Sequence, residues 1–130
     1  MLAIDNLVQI IRIEIFSILG GGIVLVFLSD LIGNILSFSN RRLNAIITAA
    51  VWGAAFYPLT FFDVQITSIS ISHEEALALT VLGIQSVFVA DVIGNSLVFN
   101  NRILNALVTS TVWAVVFYVT LIALVQAASN

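Results

Sequence analysis

The chain has 130 residues, of which 61% are hydrophobic and only 8% are charged, with a net charge of −3. A small soluble monomer needs more polar surface than this composition supplies, so the apolar residues must contact lipid, other copies of the chain, or both. The sequence contains no cysteine, which excludes disulfides and thiolate metal sites.

Four long and largely apolar segments predict four helices. These segments cover residues 13–38, 43–62, 73–99 and 103–125. Short polar turns at residues 39–42 and 100–102 join the helices in pairs. The first twelve residues are either an arm or the start of the first helix, and residues 127–130 are expected to fray.

A polar linker is predicted between the two helix pairs, at residues 63–75. Its alternating stretch ITSISIS is the one strand-like piece of the chain. Ser72 and Glu75 have the spacing of a capping box, which predicts that the third helix begins at His73. The chain then divides into an arm plus hairpin at residues 1–62, the linker, and a second hairpin at residues 76–130, which together form one compact unit.

One block of sequence occurs twice, 61 residues apart and without a gap. Of the 36 positions from Gly22 to Tyr57, 20 are identical to their partners from Gly83 to Tyr118. Such self-similarity indicates a tandem duplication. The predicted fold is therefore all-α, a four-helix bundle made of two tandem αα-hairpins. Because each copy holds an even number of helices, both hairpin tips should lie at the same end.

The repeated polar residues predict pairs that fix the register of each hairpin. Folding the first hairpin about residues 40–41 places Asp30 beside Trp52 and Asn34 beside Thr48. The second copy repeats these pairs with four equivalent residues, namely Asp91 with Trp113 and Asn95 with Thr109. The alternative interpretation is that Asp30 and Asp91 carry ions or protons within a membrane.

The two tips share an Asn-Arg pair and form a candidate surface for nucleic acid. The residues of this surface are Asn40, Arg41, Arg42, Asn101 and Arg102. Asparagine favours turns and arginine near a helix end is ordinarily solvated, so a purely structural explanation is open. The alternative is that the arginines face phosphate, since an array of such tips would form a continuous basic layer. Asn44 and Asn105 are expected to cap or bridge the turns.

No pattern in the sequence indicates catalysis. It contains no nucleophile–base pair, no phosphate-binding glycine loop and no zinc-ligand spacing. We therefore predict a protein that is not an enzyme and that uses no cofactor and no metal.

The blocks at residues 30–52 and 91–113, together with the length and hydrophobicity of the chain, resemble the major capsid protein of large tailed spindle-shaped archaeal viruses. That family is a duplicated, hydrophobic αα-hairpin. The resemblance implies a four-helix subunit that assembles with copies of itself, through apolar side-to-side contacts, into a virion shell around double-stranded DNA. It also implies that the arginine tips face the DNA, and it leaves open whether lipid is part of the assembly.

The chain also resembles the duplicated proteolipid subunit of rotary ATPases, which implies an integral membrane protein of four spans, in the cell membrane. A small transporter belongs to the same alternative. In the proteolipids the ion-binding carboxylate typically lies in the second helix of a hairpin. Here Asp30 and Asp91 lie in the first helix, only 11 residues before the tip arginine. The self-assembling structural subunit is therefore the favoured function.

Overall fold

The computed structural model describes residues 2–63 and 72–129, and this part of the chain folds into four helices with no strand. The helices are α1 Leu2–Ser37, α2 Arg41–Asp63, α3 His73–Leu97 and α4 Arg102–Ser129. The predicted all-α four-helix fold is confirmed. The strand-like alternation of the linker lies outside the described residues, apart from Ser72 at its end.

The helices are longer than the sequence pattern indicated at both ends of the chain. Residues 2–12 belong to α1 and do not form a separate arm, because no proline or glycine interrupts the chain before Gly20. α4 continues to Ser129, beyond its predicted end at residue 125, and the last residue of the segment expected to fray lies outside the described residues. Pro58 lies inside α2 and does not end it.

The predicted capping box at the start of α3 is confirmed. The backbone N–H of Glu75 donates to Ser72 Oγ at 3.2 Å, and the backbone N–H of Ser72 donates to the Glu75 carboxylate at 2.9 Å. These bonds satisfy two N–H groups that a helix end otherwise leaves unpaired. They define where the second hairpin begins.

The four helices form a square bundle in which chain neighbours are also spatial neighbours. α1 packs on α2 and α4, α3 packs on the same two helices, and α1 approaches α3 only weakly across the diagonal. Both hairpin tips lie at one end, where Phe38 stacks on Phe99 with ring centroids 4.5 Å apart. At the other end the Tyr57 hydroxyl lies 2.8 Å from Nδ1 of His73. The two tips therefore share one face, as the even number of helices in each copy predicts.

Two tryptophans form the centre of the apolar core, and each reaches into the opposite hairpin. Trp52 on α2 lies against Gly83 of α3, and Trp113 on α4 lies against Gly22 of α1. A Cβ at either glycine would overlap the indole ring. Both tryptophans are fully buried, and their ring centroids are 6.1 Å apart. The glycines are thus required where the backbone of one hairpin meets the largest side chain of the other.

Candidate functional site

Four buried asparagines form a closed hydrogen-bonded ring just below the tips. Asn44 donates through Nδ2 to Asn34 Oδ1 at 2.9 Å, and Asn34 donates to Asn105 Oδ1 at 3.1 Å. Asn105 donates in turn to Asn95 Oδ1 at 2.8 Å, and Asn95 donates to Asn44 Oδ1 at 3.1 Å. Each side chain is at most 1% exposed. The ring contains one residue from each helix, so it joins all four.

Backbone carbonyls hold the ring in one orientation. The Asn34 amide donates to the carbonyl of Arg102 at 3.2 Å, and the Asn95 amide donates to the carbonyl of Arg41 at 3.2 Å. A carbonyl only accepts, so each of these contacts requires the amide nitrogen and not the amide oxygen. Both bonds cross from one hairpin to the other. The ring therefore sets the register between the hairpins as well as within each of them.

The predicted pairing of Asn34 with Thr48, and of Asn95 with Thr109, is wrong by one helical turn. α1 ends at Ser37 and α2 begins at Arg41, so the hairpin folds about residue 39 and not about residues 40–41. A shift of the fold point by about two residues moves every facing pair by about four, which is one turn of helix. Asn34 consequently faces Asn44, and the second hairpin has the same register.

Two buried aspartates form the next layer of the interior. Thr48 Oγ1 donates to Asp30 Oδ1 at 3.2 Å, and Thr109 Oγ1 donates to Asp91 Oδ1 at 3.1 Å. Both aspartates are 0% exposed, and the Oδ2 atom of each has no hydrogen-bond partner. Burial raises the pKa of Asp30 to about 7, with a further contribution from the neighbouring charge of Asp91. Burial also raises the pKa of Asp91.

The predicted contacts of the aspartates with tryptophan are wrong. The Trp113 indole N–H donates to Ser86 Oγ at 3.0 Å, and the buried indole N–H of Trp52 has no partner. The residue of the first copy that corresponds to Ser86 is Leu25, which has no acceptor to offer. This difference between the copies is visible in the sequence, and it explains why the two tryptophans are not equivalent.

We expect the Ser86→Ala substitution to lower the free energy of unfolding by about 1–2 kcal/mol, because it leaves the buried Trp113 N–H without an acceptor. Ser96→Ala is the matched control, since Ser96 is exposed and its hydroxyl bonds only to the Val92 carbonyl within its own helix. Thermal unfolding of the two variants measures the difference. Equal midpoints would show that the Ser86–Trp113 contact contributes nothing.

The tips present a basic face at the same end as the asparagine ring. Arg41 lies over the Phe99 ring at 4.9 Å, and Arg102 lies over the Phe38 ring at 5.1 Å. Each arginine thus packs on the aromatic residue of the other hairpin, a cation–π contact that restrains the guanidinium group. Arg42 is exposed on the same face.

Two further asparagines cap the helices that follow the tips. Asn40 Oδ1 accepts from the backbone N–H groups of Arg42 and Leu43, each at 3.1 Å. Asn101 does the same for the helix after the second tip, at 3.0 and 3.1 Å. Asn44 and Asn105 therefore do not cap these helices. Asn105 does bridge the second turn, as expected, because its Nδ2 donates to the carbonyl of Val98 at the end of α3, at 2.6 Å. Asn44 lies four residues before Thr48, and Asn105 lies four residues before Thr109. This spacing in the sequence indicates that each asparagine shares the buried helix face of its threonine.

The described interior offers no metal centre. No group of three or more histidine, cysteine, aspartate or glutamate side chains in this part of the chain could hold a metal ion. The buried polar atoms bond mainly to one another, so the interior acts as a scaffold. Four buried side-chain atoms of the described residues have no hydrogen-bond partner, namely Ser37 Oγ, Trp52 Nε1 and the Oδ2 atoms of Asp30 and Asp91. Only the two Oδ2 atoms belong to titratable groups.

The exterior of the bundle is strongly apolar. Phe16 is 87% exposed, Ile35 is 70% exposed and Leu97 is 67% exposed, and large exposed apolar side chains occur on all four helices. Three helical segments among the described residues are long and apolar enough to cross a membrane, with mean hydropathies from 2.0 to 2.3. These segments are Ile15–Ser37, His73–Leu97 and Arg102–Ala127.

The fold and the site together define an all-α four-helix bundle with a hydrogen-bonded polar interior and an apolar exterior. Comparison with protein-family models, curated proteins and solved structures finds no match for this chain.

Proposed function

We propose that this chain is a structural protein, a self-assembling subunit of a virion shell that encloses double-stranded DNA. The observation that carries the proposal is the distribution of polarity, with polar side chains inside and large apolar side chains on the flanks of all four helices. Extensive apolar outer faces of this kind mark surfaces that are covered in the working state of a protein. Neighbouring copies can provide that burial.

Burial of the apolar flanks against neighbouring copies would drive assembly. Burial of apolar surface contributes about 25 cal/mol per Å², so each 400 Å² removed from water contributes about 10 kcal/mol before the costs of association. Large side chains on α1 and α3, such as Ile35 and Leu97, would lie at these contacts. A bundle whose register is held by the asparagine ring supplies the rigid unit that a regular array requires.

The arginine face supports an orientation for the subunit. Arg41, Arg42 and Arg102 lie at one end, and each is exposed. In a shell of parallel subunits these tips would form one basic layer, and phosphate contacts need no base-specific groups. We therefore assign the tip face to the DNA side of the shell.

A specific observation favours a second candidate, an integral membrane protein with four spans that carries ions or protons through Asp30 and Asp91. Three described helical segments are long and apolar enough to span a bilayer. The full-length chain in proteoliposomes, compared with the Asp30→Asn and Asp91→Asn double variant, tests this candidate. Ion or proton flux that the double variant abolishes would establish it, and would overturn the shell proposal.

Fractionation of cells that express the full-length chain tests the shell proposal. We expect regular particles that sediment without detergent and survive a mild nonionic detergent, because contacts between copies and not lipid cover the flanks. Protein that is found only in membranes, that detergent extracts as single bundles and that never forms particles would contradict the proposal.

We expect replacement of the three tip arginines by glutamine to reduce nuclease protection of encapsidated DNA at least tenfold, while particles still form. Each lost phosphate contact weakens binding and lowers its dependence on salt. Glu74→Gln is the matched control, because Glu74 is exposed at the start of α3, at the opposite end of the bundle from the tips. Protection that is equal in the two variants would show that the tips do not face the DNA.

A further inference from the structure

The Asp30 carboxyl group on α1 and the Asp91 carboxyl group on α3 are neighbours across the diagonal of the bundle. One oxygen of each group accepts a hydrogen bond and the other does not. Thr48 and Thr109 donate to the two Oδ1 atoms. The two Oδ2 atoms are buried and have no donor. An unsatisfied buried oxygen is unfavourable, and two neighbouring buried carboxylates also repel each other.

We propose that Asp30 and Asp91 form a proton-binding site that holds one proton between their Oδ2 atoms, and that occupancy of this site controls how firmly the two hairpins are joined. A proton on one Oδ2 converts it into a donor for the other, so a single proton satisfies both unpartnered atoms and removes one of the two charges. The inference concerns the bundle itself and does not depend on the shell proposal.

The packing around the pair favours a proton over a metal ion. Gly33 lies against the Thr48 hydroxyl and Gly94 against the Thr109 hydroxyl, and a Cβ at either glycine would overlap that oxygen. Hard cations require about six oxygen ligands. No third acidic, histidine or cysteine side chain of the described residues joins the two carboxyl groups, so the site is poor in ligands for a cation, whereas its two unpartnered oxygens are enough to share one proton.

No cation among the described residues faces the pair. The groups that face it are the hydroxyls of Thr48 from α2 and Thr109 from α4, and the amide of Asn95 on α3. The three tip arginines lie at the starts of α2 and α4, beyond the tip ends of α1 and α3. Asp30 is seven residues before the end of α1 and Asp91 is six residues before the end of α3, which is about 10 Å along the helix. The described charges of His73–Glu75 lie at the far end of the bundle.

The pH dependence follows from the direction of the pKa shift. The folded pKa of Asp30 is raised from 3.8 to about 7, so the folded state binds a proton that the unfolded state releases between these values. Stability from the shared proton is fully present below about pH 4 and is lost as the pH rises through about 7. Above that window both carboxylates are charged and repel each other.

Infrared spectroscopy and thermal unfolding of the full-length chain in nonionic detergent test the inference. At pH 5.5 we expect the carbonyl band of a protonated, buried carboxyl group in the wild type and its absence in the Asp30→Asn, Asp91→Asn double variant. The unfolding midpoint of the wild type should fall by on the order of 10 °C between pH 4 and pH 8. Asp30→Asn, which is nearly isosteric and donates to the remaining carboxylate, should flatten this profile and raise the midpoint at pH 8.

Glu74→Gln is the control, and it should retain the pH profile of the wild type. The absence of a protonated carboxyl band at pH 5.5 in the wild type would overturn the inference without the need for any variant. A profile for Asp30→Asn as steep as that of the wild type would also overturn it. An unfolding midpoint at pH 8 that rises with added Na⁺ or Ca²⁺ in the wild type, but not in Asp30→Asn, would identify a cation site instead.

Discussion

The Asn34→Ala substitution is expected to lower the free energy of unfolding by about 3–5 kcal/mol, because it leaves several buried polar groups unsatisfied at about 1–3 kcal/mol each. Asn44 would lose the acceptor of its amide, and Asn105 would lose the donor to its oxygen. None of these groups can turn to solvent, since the ring is enclosed by all four helices.

Asn100→Ala is the matched control for the ring, because Asn100 is an exposed asparagine in the second tip. We expect this change to alter stability by no more than about 0.5 kcal/mol. Denaturant unfolding in detergent measures both variants. A cost for Asn34→Ala as small as that of the control would show that the ring does not hold the bundle together.

A double variant tests whether the asparagines act as one unit. Once Asn34 is replaced, the further change Asn105→Ala removes a partner that has already lost its donor. The double variant should therefore be destabilised less than the sum of the two single changes.

Gly22→Ala is expected to destabilise the bundle by about 1–3 kcal/mol, because the added methyl group overlaps the buried Trp113 indole and forces α1 away from α4. Gly20→Ala, two residues earlier on the same helix, should instead stabilise the folded chain by up to about 1 kcal/mol, since no atom beyond its chain neighbours and the adjoining backbone of its own helix lies within 4 Å of its Cβ position.

The comparison of these two glycine variants separates helix propensity from packing. Both changes replace glycine by alanine in α1, so they share the same gain in helix propensity. The difference between their unfolding free energies, about 2–4 kcal/mol, measures only the contact with Trp113. Two variants of equal stability would contradict the close approach of α1 to the indole ring.

The helices and their order were predictable from the sequence because they depend on local properties. Long apolar segments separated by polar turns determine the helices, and the repeat determines that both tips lie together. Even so, the structure centres the turn of each hairpin about two residues earlier than the sequence predicts. The polarity of residues 39–42 does not distinguish the turn from the first residues of α2, and that small error moved every predicted pair by one turn.

The closed ring and the tryptophan contacts could not be predicted because they join residues of different hairpins. Asn34 meets Asn105 only after the hairpins dock, and no spacing along the chain encodes that contact. The six-membered rings of Trp52 and Trp113 likewise contact a glycine of the other hairpin. The repeat did identify all four of these residues, Asn34, Asn105, Trp52 and Trp113, and it also contained the Leu25–Ser86 difference that makes the tryptophans unequal.

Electron cryo-microscopy of the full-length protein, purified without detergent, tests most directly whether copies of the chain cover its apolar exterior. We expect regular shells in which four-helix bundles pack side by side through their apolar flanks, with every arginine tip on the inner face and the DNA beneath it. Isolated bundles that are each surrounded by a belt of lipid, with no ordered contact between copies, would contradict the structural function proposed for this protein.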